Sequence, residues 1–445
     1  MARHFAVTGL GYGDEGKGSI VDALAMRLNS PYVVRYNGGA QAAHHVVLED
    51  GTTHRFSSWG SGTLRGAKTY LASRFILNAY SMFSEAKKLR SFIGKNPWEE
   101  IVASPLCPVT TYIHVYLNRL RELARGGNRH GSCGMGIGET YEMEDLGIGV
   151  LRASDIRDEF TINELLREQA EWAQEEVSKL TISKTDDYID KVIDILHNKD
   201  LIPIEVDRIL ALGNVLDVLD DFDYDFLREL SNTENVIWEG AQGLLLDEEI
   251  GFFPHVTRSK TDITWIEEEL STIDLVSIGV TRTYMTRHGN GPFPSEGAPG
   301  FSKLTFKDHN KEGKWQGNFR VGALDIPALK YGLDNIKVPP DYLAITCVDA
   351  LDSFGSLIPV CSAYKGEGLL LETDIPFYDS LDCRSDNTLE LSHKSGIYIF
   401  TPKETYIEKI SNSLGIELGI TSSGPKASDK KFHNSFVEIV NGSVA

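Results

Sequence analysis

The sequence predicts an α/β fold, with a mostly parallel central sheet flanked by helices and a phosphate-binding loop near its start. Three observations carry this. An apolar run at His4–Gly9 (HFAVTG) leads into a glycine-rich loop. Residues 19–28 (SIVDALAMRL) then place Ile20, Val21, Leu24 and Leu28 at helical spacing. Further short apolar runs alternate with helical stretches, which favours parallel strands covered by helices on both faces.

The remaining elements follow in order. Residues 32–36 (YVVRY) form a second strand that opens into a glycine-rich turn at 37–45. Residues 158–225 are mostly charged with a helical pattern, a helical subdomain inserted in a single domain spanning 1–445. Strand-like runs return at 235–238 (NVIW), 275–280 (LVSIGV) and 342–346 (YLAIT), each ending in a motif. Ligands of open α/β sheets gather at such carboxyl ends. The stretches 289–300 and 309–317 are the most loop-like and suit mobile active-site loops.

Composition narrows the function. With 445 residues, 41% hydrophobic and 24% charged, the chain reads as a soluble globular protein with a large core. A net charge of −20 argues against a nucleic-acid partner. It leaves room for a small anion in a local pocket of cations and backbone N–H groups. Five scattered cysteines without a C-x-x-C pair argue against a disulfide framework or structural zinc and suit a reducing cytoplasm. The first residues lack the apolar core of a signal peptide, and no run approaches the ~18 apolar residues of a membrane span.

Gly11-Tyr12-Gly13-Asp14-Glu15-Gly16-Lys17-Gly18 matches the first seven positions of G-x-x-x-x-G-K-S/T. Glycines let backbone N–H groups approach phosphate oxygens, and Lys17 adds a point charge. Gly18 lacks the hydroxyl that usually binds magnesium. Asp14, an acid facing a phosphate, suits a metal ligand or a proton acceptor.

These residues resemble the Q-W-G-D-E-G-K-G signature of adenylosuccinate synthetases, and further motifs follow in the family's order. Residues 35–44 (RYNGGAQAAH) resemble R-Y-x-G-G-x-N-A-G-H, and 239–247 (EGAQGLLLD) resemble E-G-A-Q-G-x-L-L-D. Residues 253–257 (FPHVT) resemble Y-P-x-V-T, and 284–296 (YMTRHGNGPFPSE) resemble Y-x-T-R-V-G-x-G-P-F-P-T-E. Residues 346–349 (TCVD) resemble T-K-L-D, and 423–425 (SGP) resemble T-G-P.

The resemblance implies a GTP-dependent ligase using Mg²⁺. A purine nucleotide (IMP-like) has its 6-oxygen phosphorylated by GTP, and L-aspartate then displaces the phosphoryl group. It implies a cytoplasmic homodimer. Carried over residue by residue, Asp14 is the base, His44 the acid near the γ-phosphate, Lys17 the phosphate cation, and Gln242 the support for Asp14 and the base. Gly13, Glu15, Gly16, Lys17, Gly18, His45, Asp349, Ser423, Gly424 and Pro425 are implied for GTP. Asp14 and Ala43 are implied for the metal. Gln41, Cys133, Gln242, Thr257 and Arg320 are implied for the other substrates.

Departures cluster at the acceptor phosphate and the amine donor. Gln41 replaces an Asn. In 131–138 (GSCGMGIG), matching G-T-T-G-R-G-I-G, Cys133 replaces Thr and Met135 replaces Arg. No Arg or Lys occurs between Arg129 and Arg152, where the family donates an Arg across the dimer. Against T-T-G-R-x-R-R-V-G-W, residues 315–323 (WQGNFRVGA) keep only Arg320. Cys347 stands where the family stacks a Lys on guanine. Three readings follow. Arg258, Lys260, Lys314 and Arg320 replace the lost charges; or the same activation serves a different acceptor or amine; or the chain is a non-catalytic GTP-binding homologue. Intact Asp14, Lys17 and His44 oppose the last.

Overall fold

The computed structural model describes residues 2–442 except 30, 183–186, 221–222, 270–273, 302–303, 305–314, 316 and 367–370. In chain order the strands are β1 (His4–Gly9), β2 (Tyr32–Arg35), β3 (His44–Val47), β4 (Thr53–Phe56), β5 (Lys68–Leu71), β6 (Ile101–Ala103), β7 (Asp217–Val218), β8 (Val236–Glu239) and β9 (Leu275–Arg282). There follow β10 (Tyr284–His288), β11 (Phe319–Asp325), β12 (Tyr342–Thr346), β13 (Leu357–Lys365), β14 (Leu371–Glu372), β15 (Ser395–Pro402), β16 (Glu417–Ser422) and β17 (Lys430–Phe432).

The central sheet has the order β17-β16-β12-β9-β1-β8-β2-β5-β6-β7. Every pairing in it is parallel except β16 with the edge strand β17. The N-terminal strand therefore lies mid-sheet, between β8 and β9. Phe5, Ala6 and Val7 are wholly buried, as a strand covered on both faces requires. Helix α1 (Lys17–Leu28) buries Ile20, Val21, Leu24 and Leu28, the stripe its spacing indicated. Strands β10, β11, β13, β14 and β15 form a second, smaller sheet, and β3 and β4 a hairpin.

The helical layer covers one end of the central sheet. It comprises α2 (Ala79–Ile93), α3 (Tyr112–Ala124), α4 (Ile137–Leu146), α5 (Glu159–Lys179), α6 (Asp187–His197) and α7 (Leu201–Gly213). Asp158 caps α5 by accepting from the N–H groups of Phe160 and Thr161, and Ile162, Leu166, Ala170 and Ala173 face the core. These helices share one apolar cluster with Phe75, Ile101 and Val218. No described helix is long and apolar enough to cross a membrane. All five cysteines are unbridged.

Candidate active site

The carboxyl ends of β1, β2, β8, β12 and β16 open into one cleft of about 1470 Å³. Gly13, Asp14, Glu15, Gly16, Lys17, Gly18, Gln41, Ala43, His44, His45, Cys133, Gln242, Thr257, Asp349, Gly424 and Pro425 all line it. Ser423 does not; its N–H donates to Asp429 O at 3.1 Å. Arg320 also lies outside, against a smaller cavity of about 690 Å³. Its guanidinium is held by Glu296 Oε2 (2.6 and 2.9 Å) and by the Gly289 and Gly291 carbonyls.

The phosphate loop is tied internally by Glu15. Its Oε1 accepts from the N–H groups of Gly11 (3.1 Å) and Gly13 (2.7 Å), and Oε2 pairs with Lys17 Nζ at 2.7 Å. Both side chains are buried. Thr346, at the end of β12, donates to Glu15 O at 2.6 Å, and Arg282 Nε donates to Asp14 O. The first N–H groups of α1 have no intrahelical acceptor and suit an anion. Gly18 has a spatial cause: a β-carbon there would stand 2.6 Å from His44 Cβ and 3.0 Å from Ser61 Oγ.

Asp14 has a left-handed backbone (φ 60°), and its carboxylate meets His288 Nε2 at 3.1 Å. Burial pushes its pKa up, but the hydrogen bond from His288 and the Arg282 and Lys17 charges outweigh that and hold it below the usual range. It is ionised at neutral pH. His44 Nδ1 lies 2.5 Å from Glu239 Oε1. Glu239 is wholly buried and also accepts from the Ser61 N–H (2.9 Å) and hydroxyl. Burial disfavours its charge, yet His44 and Arg35 hold its pKa down at about 2. Burial lowers His44 despite Glu239, leaving a neutral imidazole oriented by a carboxylate.

Two residues of the 35–44 motif build the walls. Arg35 reaches the carbonyls of Ser57, Trp59 and Ala42, and Asn37 clamps the turn after β8 through Ala241 N–H (2.7 Å) and Lys260 O (2.8 Å). That turn presents Gln242, also left-handed (φ 65°), toward Gly13. His44 and His45 begin a strand instead of ending a turn. Sequence reasoning gave no role to Glu239, Ser61, Arg282 or His288. The signals available were a carboxylate ending the apolar run V-I-W for Glu239, and for His288 a polar residue where the resembled motif has Val.

Mg²⁺ keeps several waters and takes only one or two carboxylates besides substrate phosphates. The ionised Asp14 and Ala43, both lining the cleft, fit that sparse demand. Among the described residues no cluster of three His, Cys, Asp or Glu could hold a metal alone.

A family model described as adenylosuccinate synthetase matches residues 6–430. The adenylosuccinate synthetase of Methylococcus capsulatus is 30% identical over 450 residues, covering 96% of this chain and 98% of that protein. The chain belongs to the adenylosuccinate synthetase family. It is a GTP-dependent ligase that forms a C–N bond, in a family of purine biosynthesis. Two solved structures share the fold. The fully ligated adenylosuccinate synthetase of Plasmodium falciparum matches with a TM-score of 0.77 at 21% identity, covering 97% of this chain and 100% of that one. The succinoaminodeoxyadenylate synthetase of cyanophage S-2L, bound to dGMP and dATP, matches with a TM-score of 0.54 at 15% identity, covering 100% and 99%.

Three of the four cations that could replace the synthetase family's missing Arg residues are already engaged. Arg258 pairs with Asp145 (2.7 Å), Lys260 with Glu249 (3.0 Å) and Arg320 with Glu296. Lys314 lies outside the described residues, as does most of 309–317. Trp315, within that stretch, packs beside Gly134 and under Arg119.

Proposed function

We propose that the chain transfers the γ-phosphoryl group of GTP to the 6-oxygen of an oxopurine acceptor and replaces it with an amino-acid nitrogen. IMP and L-aspartate, the family's pair, are the reference substrates. The observation that carries this is the joining, in one cleft, of an ionised Asp14 beside the phosphate loop and a His44 oriented by Glu239.

An amide-like oxygen is a poor nucleophile. Asp14 accepts the N1 proton while the 6-oxygen bonds to the γ-phosphorus and the bond to the β,γ-bridging oxygen breaks, releasing GDP. Lys17 and the N–H groups opening α1 stabilise charge growing on the phosphoryl oxygens. Lys17 exchanges its Glu15 partner for phosphate as GTP arrives. His44, neutral in the free cleft, takes a proton as phosphate charge approaches and donates toward the γ-phosphoryl. The amine then bonds to C6, the C6–O bond breaks with its electron pair leaving on phosphate, and the proton of the nitrogen and the one held by Asp14 pass to solvent. Gln242 orients the base beside Asp14. Asp349 accepts from the guanine N1–H and N2–H, the preference for GTP over ATP. Asp14 and Ala43 would hold Mg²⁺, which would supply charge neutralisation for the transferred phosphoryl group.

The test is phosphate release from GTP with oxopurines crossed against amino acids. Release that requires an oxopurine, and falls at least about 100-fold in Asp14→Asn with unchanged folding, is expected. Release indifferent to every oxopurine, or surviving in Asp14→Asn, would overturn the proposal.

A further inference from the structure

The far end of the cleft, where family members hold the acceptor's phosphate, carries its own carboxylates. Glu122 of α3 is wholly buried; it accepts from the Gly131 N–H at 3.1 Å and pairs with Arg125 at 2.5 Å. An internal anion thus occupies the backbone donor that opens the 131–138 loop. Glu139, in the first turn of α4, is 4% exposed and faces the cleft, and its Oε2 is buried without a hydrogen-bond partner. Asn118 links it to this loop by accepting from Ser132 Oγ at 2.9 Å.

Two arginines lining this end, Arg121 and Arg125, are already paired. Arg121 divides its guanidinium among Glu139, Glu142 and Glu176, and Arg125 is committed to Glu122. Burial takes His130 down to about 4, so its ring is neutral, and keeps the Cys133 thiol protonated. A β-carbon on Gly39 would stand 3.1 Å from both Gln41 Oε1 and Ile137 Cδ1, which places the Gln41 amide near the start of α4, with both its polar atoms buried and unpartnered. A phosphate dianion here would meet carboxylates and neutral groups. Hydroxyls lying along this wall would find a donor in Gln41 Nε2 and acceptors in Gln41 Oε1 and Glu139 Oε2. Unpaired buried polar atoms favour a ligand that satisfies them.

We propose that this subsite, built from Gln41, Cys133, Glu122 and Glu139, takes the uncharged sugar hydroxyls of the acceptor, so that the substrate is an oxopurine nucleoside and not its 5′-phosphate. This rests on the activation reading above and names the acceptor class for it.

The experiment is calorimetric binding of inosine and of inosine 5′-monophosphate to the full chain loaded with a non-hydrolysable GTP analogue and Mg²⁺. Inosine should bind at least about tenfold more tightly, because like charges at a binding surface select strongly against the wrong partner. Glu139→Gln should narrow that ratio at least about fivefold while melting like the wild type. Glu139→Ser serves the same purpose if the amide disturbs packing. Tighter binding of the monophosphate, binding of neither, or a ratio unmoved in both variants would overturn the proposal. Phosphate release is measured in parallel. Inosine binding without GTP-dependent release supports the subsite while defeating the activation reading. Release driven by the monophosphate alone does the reverse.

Discussion

Gly18 stands where phosphate loops of this type carry Ser or Thr, and the structure makes that glycine a requirement of space. Gly18→Ala adds a carbon 2.6 Å from His44 Cβ, where carbon atoms normally rest about 3.5–4.0 Å apart. His44 must retreat by about 1 Å. The helix gains about 1 kcal/mol from losing a glycine, and the overpacking costs about 1–3 kcal/mol, so the net change is at most about 2 kcal/mol. A 1 Å displacement of a catalytic group costs about 100-fold in rate. The expected variant melts within a few degrees of the wild type and has kcat for acceptor-dependent phosphate release reduced about 100-fold. Gly18→Ser sharpens the contrast, since it restores the hydroxyl of the common loop along with the clash. Full activity in either variant would refute the spatial argument, and higher activity in Gly18→Ser would show that a missing metal ligand, not His44, governs the position.

Glu239→Gln keeps the size of the side chain that orients His44 but removes the charge, and should lower kcat about 100-fold with GTP affinity unchanged; equilibrium binding beside steady-state rates checks it. Thr346→Val deletes the donor to Glu15 O and should weaken GTP binding about fivefold, the worth of about 1 kcal/mol, with kcat little altered. Asp325 is wholly buried; burial, opposed by the Tyr364 hydroxyl, pushes its pKa up to about 6. The folded state then binds this proton more tightly than the unfolded chain, so the stability it brings is present below about pH 4 and lost as pH rises through 6. Asp325→Asn should raise stability by up to about 3 kcal/mol at pH 8 and by almost nothing at pH 4, read from denaturant midpoints across that range.

The central sheet was legible because its strands are apolar on both faces and short. Residues 4–9, 275–280 and 342–346 stand out from what flanks them, and α1 declares itself by the spacing of Ile20, Val21, Leu24 and Leu28. The second sheet was not read, because β10, β11 and β13 mix Arg, Thr and Lys with apolar residues and draw their register from each other. In the cleft, groups near a glycine loop were found by motif. Glu239 and His288 act through partners 195 and 274 residues away in the chain, and nothing local marks such pairs. Arg320 is a different case: a charged residue in the right motif lines the smaller adjoining cavity and pairs there with Glu296.

The place of β1 has a consequence for synthesis. Its sheet partners β8 and β9 begin at residues 236 and 275, so β1 cannot pair within this sheet until those distant segments have been made. Pairing at such separation is slow, and an apolar strand held open meanwhile is a hazard for aggregation. The same arrangement guards against waste. The locks on the phosphate loop come from Arg282 and Thr346, and the final cleft wall from Gly424 and Pro425. A nascent or truncated chain holding only the loop lacks the parts that organise it for phosphoryl transfer, so the competence to spend nucleotide arrives only once the chain has been made as far as Pro425.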